Sequence, residues 1–197
     1  IDDKSGWGNM TNLESAILYS CILKGFGDCS RLDKLDYVRL ERNGCNSDDA
    51  ANFSGLDTLN HDIQVAIYFD VRCKVNQECI DSLENANIHQ LDISGNQNLN
   101  LSIIKNLNII SFISGGEIDW NGLQEMPNLK KINIRSLNIS DLTPVASLTN
   151  IEELDISNTN VTDLSPLKDM PNLKKLIAEN CNIDDWSPVS DIDEVIK

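Results

Sequence analysis

Two histidines, six cysteines and an excess of carboxylates are the side chains here that could act on a substrate or hold an ion. His61 and His89 are the candidate general bases, and a base needs a nucleophile and an orienting group within reach. His89 stands beside Asp92 on one strand, which invites a His–Asp pairing. No nucleophile accompanies it, because the chain contains no G-x-S-x-G elbow, no H-E-x-x-H and no phosphate-binding glycine loop. A solvated surface histidine is the expectation, and no catalytic residue is assigned.

The cysteines at 21, 29, 45, 73, 79 and 181 form no C-x-x-C, and neither histidine lies at zinc-finger spacing from a cysteine pair. Asp48-Asp49, Asp184-Asp185 and Asp191/Asp193 lack the glycine and the fixed spacing of a calcium loop. They read as solvated turns. Neither a metal nor a cofactor is expected.

A chain of 197 residues holds one domain or one repeat array. Its net charge of −15 excludes general binding to a nucleic acid backbone, which clustered Lys and Arg drive, and argues against docking on an anionic membrane. The 41% of hydrophobic residues suffices for a core. No apolar run approaches the about 18 residues that span a bilayer, so no membrane insertion is expected. An even number of cysteines in an acidic chain without an initiator methionine points to export, to the periplasm or the cell exterior. The alternative is a cytosolic protein with all six thiols reduced.

The elements that would position any site come from an internal repeat. Asn128, Asn150 and Asn172 each open a 22-residue unit in the same register: N-L-K-K-I-N-I, N-I-E-E-L-D-I and N-L-K-K-L-I-A. Each approximates L-x-x-L-x-L-x-x-N/C-x-L, the leucine-rich repeat pattern, with Leu137 and Thr159 departing from Asn or Cys in the ladder slot. The first apolar position recurs at Leu13, Leu35, Ile63, Ile88, Ile109, Leu129, Ile151 and Leu173, spaced 22, 28, 25, 21, 20, 22 and 22. Eight repeats follow, irregular over residues 1–87 and regular over 88–197, as one continuous solenoid. The alternative is a Cys-containing cap over 1–87 with five repeats after it.

The expected fold is an α/β leucine-rich repeat horseshoe, with a parallel concave sheet and short helical or 3-10 turns on the convex side. No single strand-and-turn unit can bury its apolar side alone, so neighbours must stack. The turns D-L-T-P-V at Asp141–Val145, D-L-S-P-L at Asp163–Leu167 and D-W-S-P-V at Asp185–Val189, with the 22-residue period, resemble the internalin type of bacterial leucine-rich repeat. The resemblance is strong over 128–193 and weaker over 88–127, while the first 87 residues depart from it. It implies a binding domain of a secreted or surface adhesin.

The frame assigns roles to the remaining residues. Cys21 and Cys181 fall in ladder slots seven repeats apart, roughly 34 Å at about 4.8 Å per strand, beyond the about 7 Å that a disulfide spans. Cys29–Cys45 and Cys73–Cys79 are the expected bridges, since each joins nearby sequence. Trp7, Trp120 and Trp186, and Met10, Met126 and Met170, recur at equivalent positions and read as core. On the concave face the first strands present Tyr19, Tyr37, Arg39, Glu41, Ile67, Phe69, Asp92 and Ile113, and the later ones Arg135 and Asp155 among charges of alternating sign. Exposed aromatics rimmed by charge mark protein interfaces. A one-residue register error in the irregular repeats would turn the apolar members inward instead.

The functional expectation is a non-enzymatic module that binds a partner protein, one with a basic surface, through its concave face. A periplasmic inhibitor or immunity protein is the first setting, a bacterial adhesin the second and a self-assembling scaffold the third. Homodimerisation through an open solenoid end is a further expectation, because the chain stops where a ninth strand would begin.

Overall fold

The computed structural model describes residues 7–19, 26–41, 53–59, 63–68, 81–83, 87–92, 108–113 and 120–197. Among the described residues nine parallel strands form one sheet in the order of the chain: β1 (Ser15–Tyr19), β2 (Tyr37–Glu41), β3 (Gln64–Tyr68), β4 (Asn87–Asp92), β5 (Asn108–Ile113), β6 (Lys131–Asn133), β7 (Glu153–Asp155), β8 (Lys175–Ile177) and β9 (Glu194–Ile196). Strict sequential order is what stacking produces, since each repeat touches only its neighbours.

One column of apolar side chains runs through the sheet on its inner side. Leu18, Leu40, Ile67, Leu91, Phe112, Ile132, Leu154, Leu176 and Val195 are in register from strand to strand. All are buried except Leu18 and Val195, on the two edge strands, which are partly buried. Behind the column lie the convex-side residues of the D-L-S-P turns, among them Leu142, Val145, Leu164, Leu167 and Val189. In each turn the aspartate caps the backbone two residues on. Asp141 accepts from the Thr143 N–H at 2.8 Å, Asp163 from Ser165 at 2.8 Å and Asp185 from Ser187 at 2.9 Å. These bonds hold all three carboxyls below the ordinary aspartate range. Proline follows each capped residue, where its missing N–H costs nothing.

After β6, β7 and β8 the backbone turns through the left-handed region at Ser136, Asn158 and Asn180, with φ of 63°, 56° and 58°. Asparagine tolerates this conformation better than most residues. It also builds a ladder here, since the side-chain amides of Asn158 and Asn180 meet at 3.1 Å. In the adjoining ladder slot the Thr159 hydroxyl and the Cys181 thiol both donate to the Ile156 carbonyl, at 2.7 and 3.2 Å. Cys181 is thus a half-buried, hydrogen-bonded ladder residue.

The first repeats are tied differently. Trp7 meets Phe26 edge to face at 5.1 Å, and Phe26, Cys29, Phe53 and Leu56 are all buried. The Cys29 N–H donates to Thr58 Oγ1 at 2.7 Å, and the Phe26 N–H to the Ser54 carbonyl at 2.7 Å. Met126 and Met170 lie in the core, as expected, but Met10 is 49% exposed. Trp120 and Trp186 are only partly buried. Cys21, Cys45, Cys73 and Cys79 lie outside the described residues.

Candidate binding face

The strand pairing sets which residues share the solvent face. One row reads Ile17, Arg39, Ala66, Gln90, Ser111, Lys131, Glu153, Lys175 and Glu194. The next reads Tyr19, Glu41, Tyr68, Asp92, Ile113, Asn133, Asp155, Ile177 and Ile196. Tyr19, Tyr37, Arg39, Glu41, Asp92 and Ile113 therefore stand on this face, as the repeat frame predicts.

Strand β3 departs from the frame by one residue. Val65 and Ile67 point inward and are each 1% exposed, so Ile67 is a core residue and not a contact residue. Tyr68 takes the outward place, and Phe69 lies outside the described residues. The cause is local: Val65-Ala66-Ile67-Tyr68-Phe69 is apolar throughout, and a run without alternation does not specify its own register. The slip is absorbed in β4, where Val65 pairs with Ile88 but Ala66 pairs with Gln90. His89 is the extra residue of that bulge. Its Nδ1 is buried without a hydrogen-bond partner. His61 lies outside the described residues.

The slip assembles a cluster that the sequence did not reveal. The Arg39 guanidinium lies 4.6 Å over the Tyr68 ring and is ion-paired with Glu41. Gln90 Nε2 donates to the Tyr68 hydroxyl at 3.1 Å. Burial is the main cause that pushes the Tyr68 phenol above its ordinary value, with Tyr37, Asp92 and Glu41 adding to it, while Arg39 opposes it and is itself held charged by its bond to Glu41. A stacked, ion-paired arginine beside tyrosines is a pre-ordered contact surface, with little side-chain entropy left to lose on binding.

The later strands are satisfied among themselves. Glu152 bridges Lys130 and Lys174 at 3.0 and 2.8 Å, Lys131 pairs with Glu153 at 2.9 Å, and Lys175 with Glu194 at 3.1 Å. Arg135 reaches Glu179 two repeats away at 3.3 Å. Asp155 keeps its place in the row but is only 9% exposed, with its carboxylate capping the Ser157 N–H at 2.9 Å. Arg135 thus belongs to a lateral charge ladder, which stabilises a sheet face modestly, while Asp155 acts as a local cap beside Asn133 and Ile177.

That ladder has a pH signature. Hydrogen bonds from Lys174 and Lys130, reinforced by their charge, hold the Glu152 carboxyl down at about 2 against an ordinary 4.5. A depressed folded-state value adds stability that is present above the ordinary range and is lost as the pH falls through about 2. Glu152→Gln should lower the melting temperature at neutral pH and low salt. In thermal melts, the difference from wild type should shrink between pH 4.5 and 2 and in about 1 M salt, where surface pairs are screened. A difference constant with pH would show that the triad does not act as a unit.

Among the described residues no three His, Cys, Asp or Glu side chains converge as metal ligands, and no helix is long and apolar enough to cross a membrane. Residues 149–191 match the family model for leucine rich repeats in two copies. The fold is that of a leucine-rich repeat solenoid. Solved structures agree. An internalin of Listeria monocytogenes, InlF, shares 18% identity over 92% of this chain and 65% of its own, less than two thirds of that protein, with a TM-score of 0.50. Internalin C2 of the same organism shares 22% identity over 92% of this chain and 79% of its own, with a TM-score of 0.57. Human trophoblast glycoprotein, Wnt-activated inhibitory factor 1, shares 14% over 90% and 72%, with a TM-score of 0.62. At these identities the likeness is one of fold. The internalin-type resemblance carried by the D-L-S-P turns thus meets internalins among the structural neighbours of the leucine-rich repeat chain. Among curated protein sequences none matches it.

Proposed function

We propose that this leucine-rich repeat chain is an exported, non-enzymatic module that binds a partner protein on the solvent face of β1–β5. The observation that carries this is the sorting of its aromatics. The chain has three tyrosines, and Tyr19, Tyr37 and Tyr68 stand on the solvent face of three consecutive strands, while Phe26, Phe53 and Phe112 are buried. Tyrosine and arginine are the residue types that anchor protein interfaces, and Arg39 sits among them. A net charge of −15 favours a partner with a basic surface and speeds its capture more than it tightens the complex. The same charge disfavours a nucleic acid partner.

A periplasmic inhibitor or immunity protein is the setting this acidity suits. Likeness to Listeria internalins supports a second setting, a surface-exposed adhesin repeat. Affinity capture from the source organism with wild type and Tyr37→Ala/Tyr68→Ala tests the reading. One stoichiometric partner should be retained by wild type, and its affinity should fall by more than about 100-fold in the variant, as expected for two anchor residues. A periplasmic enzyme or toxin as partner selects the first setting and a host surface protein the second. A partner held equally by the variant would remove the site from this face.

A further inference from the structure

The tyrosine face has a charge arrangement that the rest of the sheet avoids. Ser15 pairs with Tyr37, which brings Glu14 and Asp36 opposite one another just before the two strands, and the Asp36 N–H donates to the Glu14 carbonyl at 2.9 Å. Both are exposed, and among the described residues no ion pair involves either carboxylate. The equivalent places in the later repeats hold Lys130, Glu152 and Lys174, which alternate in sign and pair. Like charges directly opposite on neighbouring strands, about 4.8 Å apart, destabilise a sheet. Of the described cations of these two repeats, Arg39 is already committed to Glu41 and the Tyr68 ring, and Lys34 Nζ donates to Asn12 at 2.9 Å.

Apolar exposure concentrates at the same end. Met10, Ile17 and Tyr19 are 49%, 50% and 57% exposed, and they are the large hydrophobic side chains that the described surface leaves open. Acid at the strand heads beside apolar and phenolic surface along the strands matches a side chain with a cationic head and an aliphatic stem.

We propose that the tyrosine face of β1–β3 takes a Lys- or Arg-bearing segment of the partner, with the cationic head between Glu14 and Asp36 and the stem along Tyr37 and Ile17. This rests on the concave-face reading above and adds the chemistry of the occupant. The bound cation replaces a repulsion by two attractions, so complex formation relieves a cost that the free protein carries.

Panning a phage-displayed random dodecapeptide library on the intact chain tests it. Enriched peptides should carry Lys or Arg next to aliphatic or aromatic residues. Their affinity should fall by about tenfold or more for Glu14→Gln/Asp36→Asn, the change expected when a paired charge is lost from an interface. The same variant, free of ligand, should melt no lower than wild type, because it removes a repulsion. Peptides that are lost on Tyr37→Ala/Tyr68→Ala, but lack a cationic excess or ignore the Glu14/Asp36 changes, would overturn the cationic occupant and leave concave recognition standing. Peptides indifferent to both variants, or no enrichment at all, would overturn the proposed seat. In that case the capture experiment alone decides whether the face binds protein.

Discussion

Leu154→Ala should cost about 3–4 kcal/mol, the range for a leucine truncated in a core that cannot collapse around the gap. Leu154 is 0% exposed and stands in the inner column between Ile132 and Leu176, in register with both. The sheet holds its neighbours at fixed spacing, so the cavity persists. In a solenoid the loss also acts on coupling, because stability is the sum of each repeat's own term and its interfaces with the adjoining ones. The expected result in guanidinium denaturation, followed by circular dichroism, is a lower midpoint with a broadened or split transition. The repeats after β7 should lose amide protection from hydrogen exchange first. A drop under about 1 kcal/mol with one sharp transition would mean that the column is not a shared core.

The regular repeats were legible because three signals coincide every 22 residues: the apolar slots, the capping aspartate and the proline. Asp141, Asp163 and Asp185 each do locally what their sequence context implies, which is why the convex turns and the strands from β6 onwards fall where the spacing puts them. The alternating charge rows were equally readable, since Lys130, Glu152 and Lys174 occupy one slot of three identical units. What could not be read is the register of β3. Its run of apolar residues offers no alternation, and the residue that compensates, His89, lies in the next strand and shows only as a bulge between paired strands. Tyr68 was therefore hidden while Ile67 and Phe69 stood in its place. The cluster of Arg39, Tyr68 and Gln90 joins three strands whose sequence spacings differ. A single sequence does not relate them until the strand pairing is known.

The first repeats are held by close backbone approach instead of by periodic capping, and Gly55→Ala probes that directly. Gly55 has φ of 103°, a conformation that side chains rarely adopt, and a Cβ there would lie 2.1 Å from the Gly27 carbonyl oxygen. The clash is with backbone, so no side chain can swing aside. Strain at such a position costs of order 1–3 kcal/mol before the overlap is counted, so a total of about 3 kcal/mol or more is expected. Relief requires the 26–27 segment to separate from 54–55, and this pulls on the Phe26 N–H to Ser54 bond and on the Thr58 hydroxyl that accepts from Cys29. Trp7 reports the event because its ring packs on Phe26. With Trp120 and Trp186 replaced by Phe, the remaining tryptophan fluorescence should show early unfolding in Gly55→Ala, while circular dichroism still registers the later strands. Gly55 lies between β2 and β3, so the same substitution should displace Arg39 from Tyr68 and abolish partner capture without touching a contact residue. A variant that unfolds in one step with the rest of the solenoid would instead make the irregular and regular repeats a single cooperative unit. The tyrosine face would then draw its rigidity from the whole stack rather than from the loop contact beneath it.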